Sequence, residues 1–122
     1  MPHILIVDDY SVTQRTLGHI LKRGGFSVAT ASNAEEALTY LQFNAVDMAI
    51  IDIMMPGMDG IEMLTILRQD ENLKHLPVIM LTASGQDEDR IRARQAGASD
   101  FLTKPTSTDD LLNAIERLLN PI

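Results

Sequence analysis

The chain has 122 residues, 17 acidic against 10 basic, a formal net charge of −7 and 45% hydrophobic residues. Such a chain suits one globular domain with a real core, and with no cysteine it has neither a disulfide framework nor a thiolate metal site. The acidic balance argues against direct nucleic-acid binding, which needs a basic footprint, and an aromatic set of Phe26, Phe43, Phe101, Tyr10 and Tyr40 is too sparse for a base-stacking surface.

Met1-Pro2-His3 leads straight into an apolar run, so no signal peptide is expected. No apolar run approaches the roughly 20 residues of a membrane span. A cytoplasmic protein without membrane contact is the expectation.

Short β-type runs alternate with helical periods five times. Strands are expected over residues 3–8, 26–31, 47–52, 77–82 and 99–103. The first helix is expected over 12–23, with Val12, Thr16 and Ile20 as a stripe, Leu17 and Leu21 beside it, Ser11 and Gln14 as a capping box, and Gly24-Gly25 as the stop. A second helix spans about 33–43, opened by a Ser32…Glu35 box, with Ala34, Leu38 and Leu41 inward. The third starts near Gly60, capped by Asp59, with Ile61, Leu64 and Leu67 apolar. The fourth, about Asp87 to Ala96, ends at Gly97 and is so charged that only a thin face can be buried. The fifth follows Ser107 as cap and carries Leu111, Leu112, Ile115, Leu118 and Leu119. Pro121-Ile122 ends it, with no output domain expected beyond.

The third and fourth strands are continuous apolar runs, the mark of parallel strands covered on both faces. Five βα units in series give a doubly wound α/β sheet by the right-handed crossover rule. Ligands bind such sheets at the carboxyl ends of the strands. Asp8 and Asp9 end the first run, Asp52 the third and Thr82 the fourth, while Lys104 follows the fifth. A single Asp at a strand end is usually a cap or a turn residue; three converging at one edge call for another account. Like charges about 4 Å apart repel by about 4 kcal/mol at an effective dielectric of 20. Only a cation or a raised pKa offsets that. Oxygen ligands without His or Cys favour a hard cation, most simply Mg²⁺.

The ordered set Val7-Asp8-Asp9, Asp52-Ile53-Met54-Met55-Pro56-Gly57-Met58-Asp59-Gly60, Leu81-Thr82-Ala83, Ala96-Gly97-Ala98-Ser99-Asp100-Phe101-Leu102 and Lys104-Pro105 resembles the receiver domain of bacterial two-component response regulators, of the stand-alone, chemotaxis-regulator-like kind. The resemblance covers essentially the whole chain. It implies a flavodoxin-like five-stranded parallel sheet of order 2-1-3-4-5 with five helices. It also implies that Asp52 takes a phosphoryl group from a sensor histidine kinase or phosphotransfer protein, with Mg²⁺ held by Asp9, Asp52 and the Met54 backbone carbonyl, and by Asp8 through water. Thr82 and Lys104 then meet the phosphoryl oxygens, and the Lys104-Pro105 bond is expected to be cis. Phe101 matches the switch aromatic of the family; packing as a strand residue under the fourth helix explains it equally well, and as Phe it can switch by packing alone. Met54 and Ser84 fall where receivers tune phosphate lifetime. Neither side chain is suited to orienting water, so a phosphoryl lifetime of minutes or longer is expected. The first helix, through Ser11, Val12 and Arg15, is the implied kinase-docking face, and the fourth helix, fifth strand and fifth helix the implied effector surface.

Other readings fit less well. Aspartate-nucleophile phosphatases carry Asp-x-Asp after the first strand, where this chain has Asp8-Asp9-Tyr10. A flavin module wants a phosphate loop there, and Tyr10-Ser11-Val12-Thr13 is a poor one. A phosphorelay intermediate or phosphate sink without an effector remains the alternative within the family. An inactive scaffold would not need the complete residue set.

Overall fold

The computed structural model describes residues 1–83 and 86–120. Among them are five strands, β1 (His3–Val7), β2 (Ser27–Ala31), β3 (Met48–Asp52), β4 (Val78–Thr82) and β5 (Asp100–Thr103). Alternating with these are five helices, α1 (Ser11–Arg23), α2 (Ala34–Phe43), α3 (Gly60–Gln69), α4 (Asp87–Ala96) and α5 (Thr108–Leu119). All strand pairs are parallel and the order is β2-β1-β3-β4-β5. The doubly wound parallel sheet expected from the βα alternation is observed, in the strand order that the resemblance implies. The end of the chain, where Pro121-Ile122 is expected to stop α5, lies outside the described residues, as does Ser84.

Period-two alternation splits the core between the two sheet faces. Ile4, Ile6, Met48, Ile50, Ile79 and Leu81 pack under α1 and α5, against Leu17, Leu21, Leu111, Ala114 and Ile115. Leu5, Val7, Ala49, Ile51, Val78 and Met80 face α2, α3 and α4. The two central strands are buried at every position, which explains their unbroken apolar runs.

Helix starts depart from the sequence expectation twice. For α1, the N-cap is Tyr10 and no side chain caps it. Gln14, expected in a capping box with Ser11, turns inward instead: its amide donates to the Asp8 carbonyl at 2.6 Å and to Ser32 Oγ at 3.2 Å. That anchor sets the face of α1, so Leu17, Gly18 and Leu21 are buried. Val12, expected on one stripe with Thr16 and Ile20, is 45% exposed. For α2, the cap is Asn33, which accepts from the Glu36 amide at 2.8 Å, one residue later than the expected Ser32…Glu35 pair. Both pairs have the same spacing, and Asn is among the strongest caps. The Asp59 cap of α3 is a full capping box with Glu62, Ser107 caps α5, and α4 closes at Gly97 in the left-handed region at φ 101°, where glycine carries no Cβ penalty.

Candidate functional site: an acidic cluster with a lysine at the sheet edge

Strand register brings the expected residues to one edge. Val7 pairs with Ile51 and Asp52 with Leu81, while Thr82 pairs with Thr103. Asp8, Asp52, Thr82 and Lys104 therefore end adjacent strands in turn. One carboxylate oxygen from each of Asp8, Asp9 and Asp52 lies within 4.8 Å of the others. Asp8 and Asp52 are buried and Asp9 is exposed, so the cluster has two inner carboxylates and one at its mouth.

The inner pair is held differently. Asp8 has both oxygens engaged: Oδ1 accepts from the Tyr10 amide at 2.9 Å and Oδ2 from Lys104 Nζ at 2.7 Å. Asp52 is held more loosely, with Oδ1 accepting from the Met54 amide at 3.3 Å and Oδ2 lying 3.4 Å from Lys104 Nζ. Burial and the neighbouring Asp8 charge push the Asp52 carboxyl above its ordinary value, against the opposing pull of Lys104 and the Met54 amide. For Lys104, burial alone would lower the ammonium pKa, but bonding to Asp8 and the charges of Asp52 and Asp8 outweigh it and raise it. The repulsion expected among the carboxylates is thus partly offset from within the chain, by a lysine 96 residues from Asp8.

Backbone geometry fixes this arrangement. Ile53 N–H donates to Leu81 O and Gly60 N–H to Ile53 O, tying the start of α3 to the strand end that carries Asp52. A Cβ at Gly60 would fall on the Asp52 carbonyl oxygen, so only glycine allows this approach. Gly57, at φ 75°, makes the preceding turn. The Lys104–Pro105 peptide is cis, as expected, and Lys104 N–H donates to Thr82 O at 2.7 Å. Thr82 is fully buried.

Met54, two residues after Asp52, has an exposed side chain and an amide turned to Asp52. Phe101 is 9% exposed in the core beneath α4, with the Arg90 guanidinium 4.8 Å from its ring centroid. The sequence reading missed that cation–π contact, the inward Gln14 and the close approach at Gly60. Asp59-Gly60 gave a signal for the last; the others join residues distant in sequence or on neighbouring elements.

The donor set fits a hard divalent cation: three convergent carboxylates, with no imidazole or thiolate in the cluster. Asp8, already committed at both oxygens, is the least available of the three for direct ligation.

The family model of the response regulator receiver domain matches residues 4–116. The chain belongs to that family. It is 39% identical to the chemotaxis protein CheY of Pseudomonas aeruginosa over 120 residues, covering 98% of this chain and 97% of that one. It is 38% identical to the phosphate regulon transcriptional regulatory protein PhoB of Rhizobium meliloti over 119 residues, 98% of this chain but 52% of that protein. The receiver thus spans about half the length of the PhoB relative and nearly all of the CheY one. Among solved structures, a Syntrophus aciditrophicus receiver domain of a signal transduction histidine kinase superposes with a TM-score of 0.93 at 34% identity, covering 100% of this chain and 92% of that one. A Chloroflexus aurantiacus protein assigned as a response regulator gives 0.94 at 36% identity, covering 98% of each. Membership implies phosphorylation-based two-component signalling. No described helix is long and apolar enough to cross a membrane.

Proposed function

We propose that this receiver accepts a phosphoryl group on Asp52 from a phosphohistidine of a sensor histidine kinase or phosphotransfer protein, and that the modified form changes its binding to a downstream protein. The observation that carries the reading is the cluster itself: a loosely held buried carboxylate beside two others, with one ammonium 3.4 Å away. Asp52 attacks phosphorus, a P–O bond forms as the P–N bond to the partner's imidazole breaks, and an aspartyl phosphate results. Raised proton affinity makes Asp52 the better nucleophile once ionised, and the Lys104 charge favours that ionised form. Asp9, Asp52 and the Met54 carbonyl would hold Mg²⁺, with Asp8 acting through water. A bound Mg²⁺ supplies charge neutralisation and alignment at the transferring group.

The new phosphate brings roughly two negative charges. Lys104 then has a stronger partner than Asp8, and Thr82 offers a hydroxyl at the end of the adjoining strand. Both lie on the side of the sheet edge next to α4, so the effector surface is assigned to α4, β5 and α5, with Phe101 as the packing element that follows. Shifting a 1:99 population to 99:1 takes about 5.5 kcal/mol of differential stabilisation, which a few charge-assisted contacts supply only if the two states are already close. The protein turns over no external substrate in this reading, works in the cytoplasm, and contacts neither nucleic acid nor membrane through this domain. A relay intermediate without an effector differs only in the last step.

Incubation with acetyl phosphate and Mg²⁺, followed by intact-mass measurement, tests the proposal. One phosphate is expected, absent in Asp52→Asn and in EDTA. Steady phosphate release without a stable adduct would make the protein a phosphatase instead. The adduct is expected to persist for minutes or longer, since Met54 presents a thioether rather than a group that orients water.

A further inference from the structure

A second surface lies apart from the acidic cluster. In a chain with a net charge of −7, α1 carries no acidic residue at all, but does carry Arg15, His19, Lys22 and Arg23. All four are exposed, and none joins an ion pair among the described residues. Arg15, His19 and Lys22 follow at helical spacing and form one wall of a groove of about 510 Å³ whose other wall includes Val28 and Thr30 of β2.

That opposite wall is the free edge of the sheet. β2 pairs with β1 alone among the described strands. Ser27 N–H donates to Pro2 O, and Ala31 O accepts from Asp8 N–H, so Ser27, Ala29 and Ala31 turn their backbone groups toward β1. In a parallel strand the N–H and C=O of one residue point the same way and alternate along the chain. Val28 and Thr30 therefore direct theirs outward. Edge strands are commonly blunted with charged residues, proline or bulges; Ser27-Val28-Ala29-Thr30-Ala31 has no charge and no proline. The opposite edge, β5, carries Asp100 in an ion pair with Arg117 and is followed by Pro105.

We propose that the β2 edge and the basic flank of α1 together form a docking site for an extended acidic peptide segment of a partner protein, which adds as a sixth strand. Main-chain bonds to Val28 and Thr30 supply register, as in other strand-addition complexes. Alternate acidic side chains on the α1 side of the added strand meet Arg15, His19 and Lys22. Such a segment recognises charge and extension together, so a helical acidic surface does not satisfy the site. The site shares no residue with the acidic cluster.

The probe is a fluorescein-labelled peptide of alternating glutamate and valine, with alternating lysine and valine as control, read by anisotropy and by amide exchange in NMR spectra of the whole chain. Binding of the acidic peptide alone is expected, with slowed exchange at the Val28 and Thr30 amides. Thr30→Pro removes an outward N–H without touching the ladder to β1 or any charge, and is expected to abolish binding. Should that variant fail to fold, the Arg15→Gln/Lys22→Gln double variant is expected to weaken binding roughly tenfold. Equal binding of both peptides, unchanged exchange at Val28 and Thr30, or binding of phosphatidylserine vesicles in place of the peptide would overturn the proposal.

Discussion

α3 and α4 lie side by side on the same face of the sheet, each ten residues long, and they are built to opposite standards. α3 buries Gly60, Ile61, Met63, Leu64 and Leu67 and opens with a complete capping box. α4 buries Ala93 alone among its residues and has no side-chain cap bond; its first turn, Asp87-Glu88-Asp89, relies on acidic charge at the helix N-terminus. The first helix follows the strand that carries Asp52. The second lies between the two strand ends that carry Thr82 and Lys104. Under the proposed function, Asp52 lies on the firmly buried side, and Thr82 and Lys104 flank an element whose thin burial lets it move at little cost. The difference between the helices places deep and thin burial on the two sides of one site.

Core truncation tests the contrast most strongly. Leu64→Ala, at a fully buried position, is expected to cost about 2–5 kcal/mol. Ile91→Ala on α4, at a position 55% exposed, should stay within about 0.5 kcal/mol. Urea melts of both variants measure the gap, and equal losses would erase the distinction between the helices.

Lys104 joins the two sides, and its removal comes next in size. Lys104→Met leaves Asp8 and Asp52 buried without their cation, an expected loss of about 2–3 kcal/mol, below the range for a fully buried pair because the lysine keeps some contact with solvent. The folded-state pKa of Lys104 is raised, so its contribution is complete below the ordinary lysine value of 10.5 and fades as pH climbs through the raised one. The difference between variant and wild type should therefore shrink in melts above that range.

Arg68 is a second tie, at the far end of α4. Its guanidinium donates to Gly97 O through Nε at 3.0 Å and Nη2 at 2.9 Å, and through Nη1 to Leu76 O at 2.7 Å. The thinly buried helix is thus pinned where it ends. Arg68→Met should cost about 1–2 kcal/mol and speed amide exchange in the last turn of α4 more than in its first. Uniform loss of protection along α4 would mean that the pin is not local.

What was legible in the sequence follows the same division. Strand ends could be read because a buried parallel strand is a continuous apolar run, and Asp8, Asp52, Thr82 and Lys104 each interrupt or follow one. The thin burial of α4 was equally readable from Asp87 to Arg94, a stretch with too few apolar residues for a wide inner face. The facing of α1 was not, because it is set by Gln14 reaching the Asp8 carbonyl and Ser32, contacts that no local period encodes. Nor could spacing separate Ser32…Glu35 from Asn33…Glu36. The balance of charge at the site depended on tertiary distance too: three carboxylates suggested net repulsion, and only the fold shows Lys104 2.7 Å from one of them.

That balance makes the two inner carboxylates respond oppositely to neutralisation, the smallest of the expected effects. Asp8→Asn loses the short ion pair to Lys104 and should lower stability in EDTA. Asp52→Asn removes a charge that burial and Asp8 disfavour, and should raise stability under the same conditions. For Asp52 the folded-state pKa lies above the unfolded value of 3.8. Folding therefore favours its protonated form, and this favourable contribution is complete below pH 3.8 and lost as pH rises through the folded-state value. The advantage of Asp52→Asn over wild type should accordingly be full at pH 7 and close as the pH falls toward 3.8. Urea midpoints across that window measure it. A variant less stable than wild type at pH 7 would show that the Lys104 contact at 3.4 Å outweighs desolvation, and that Asp52, like Asp8, is held by Lys104.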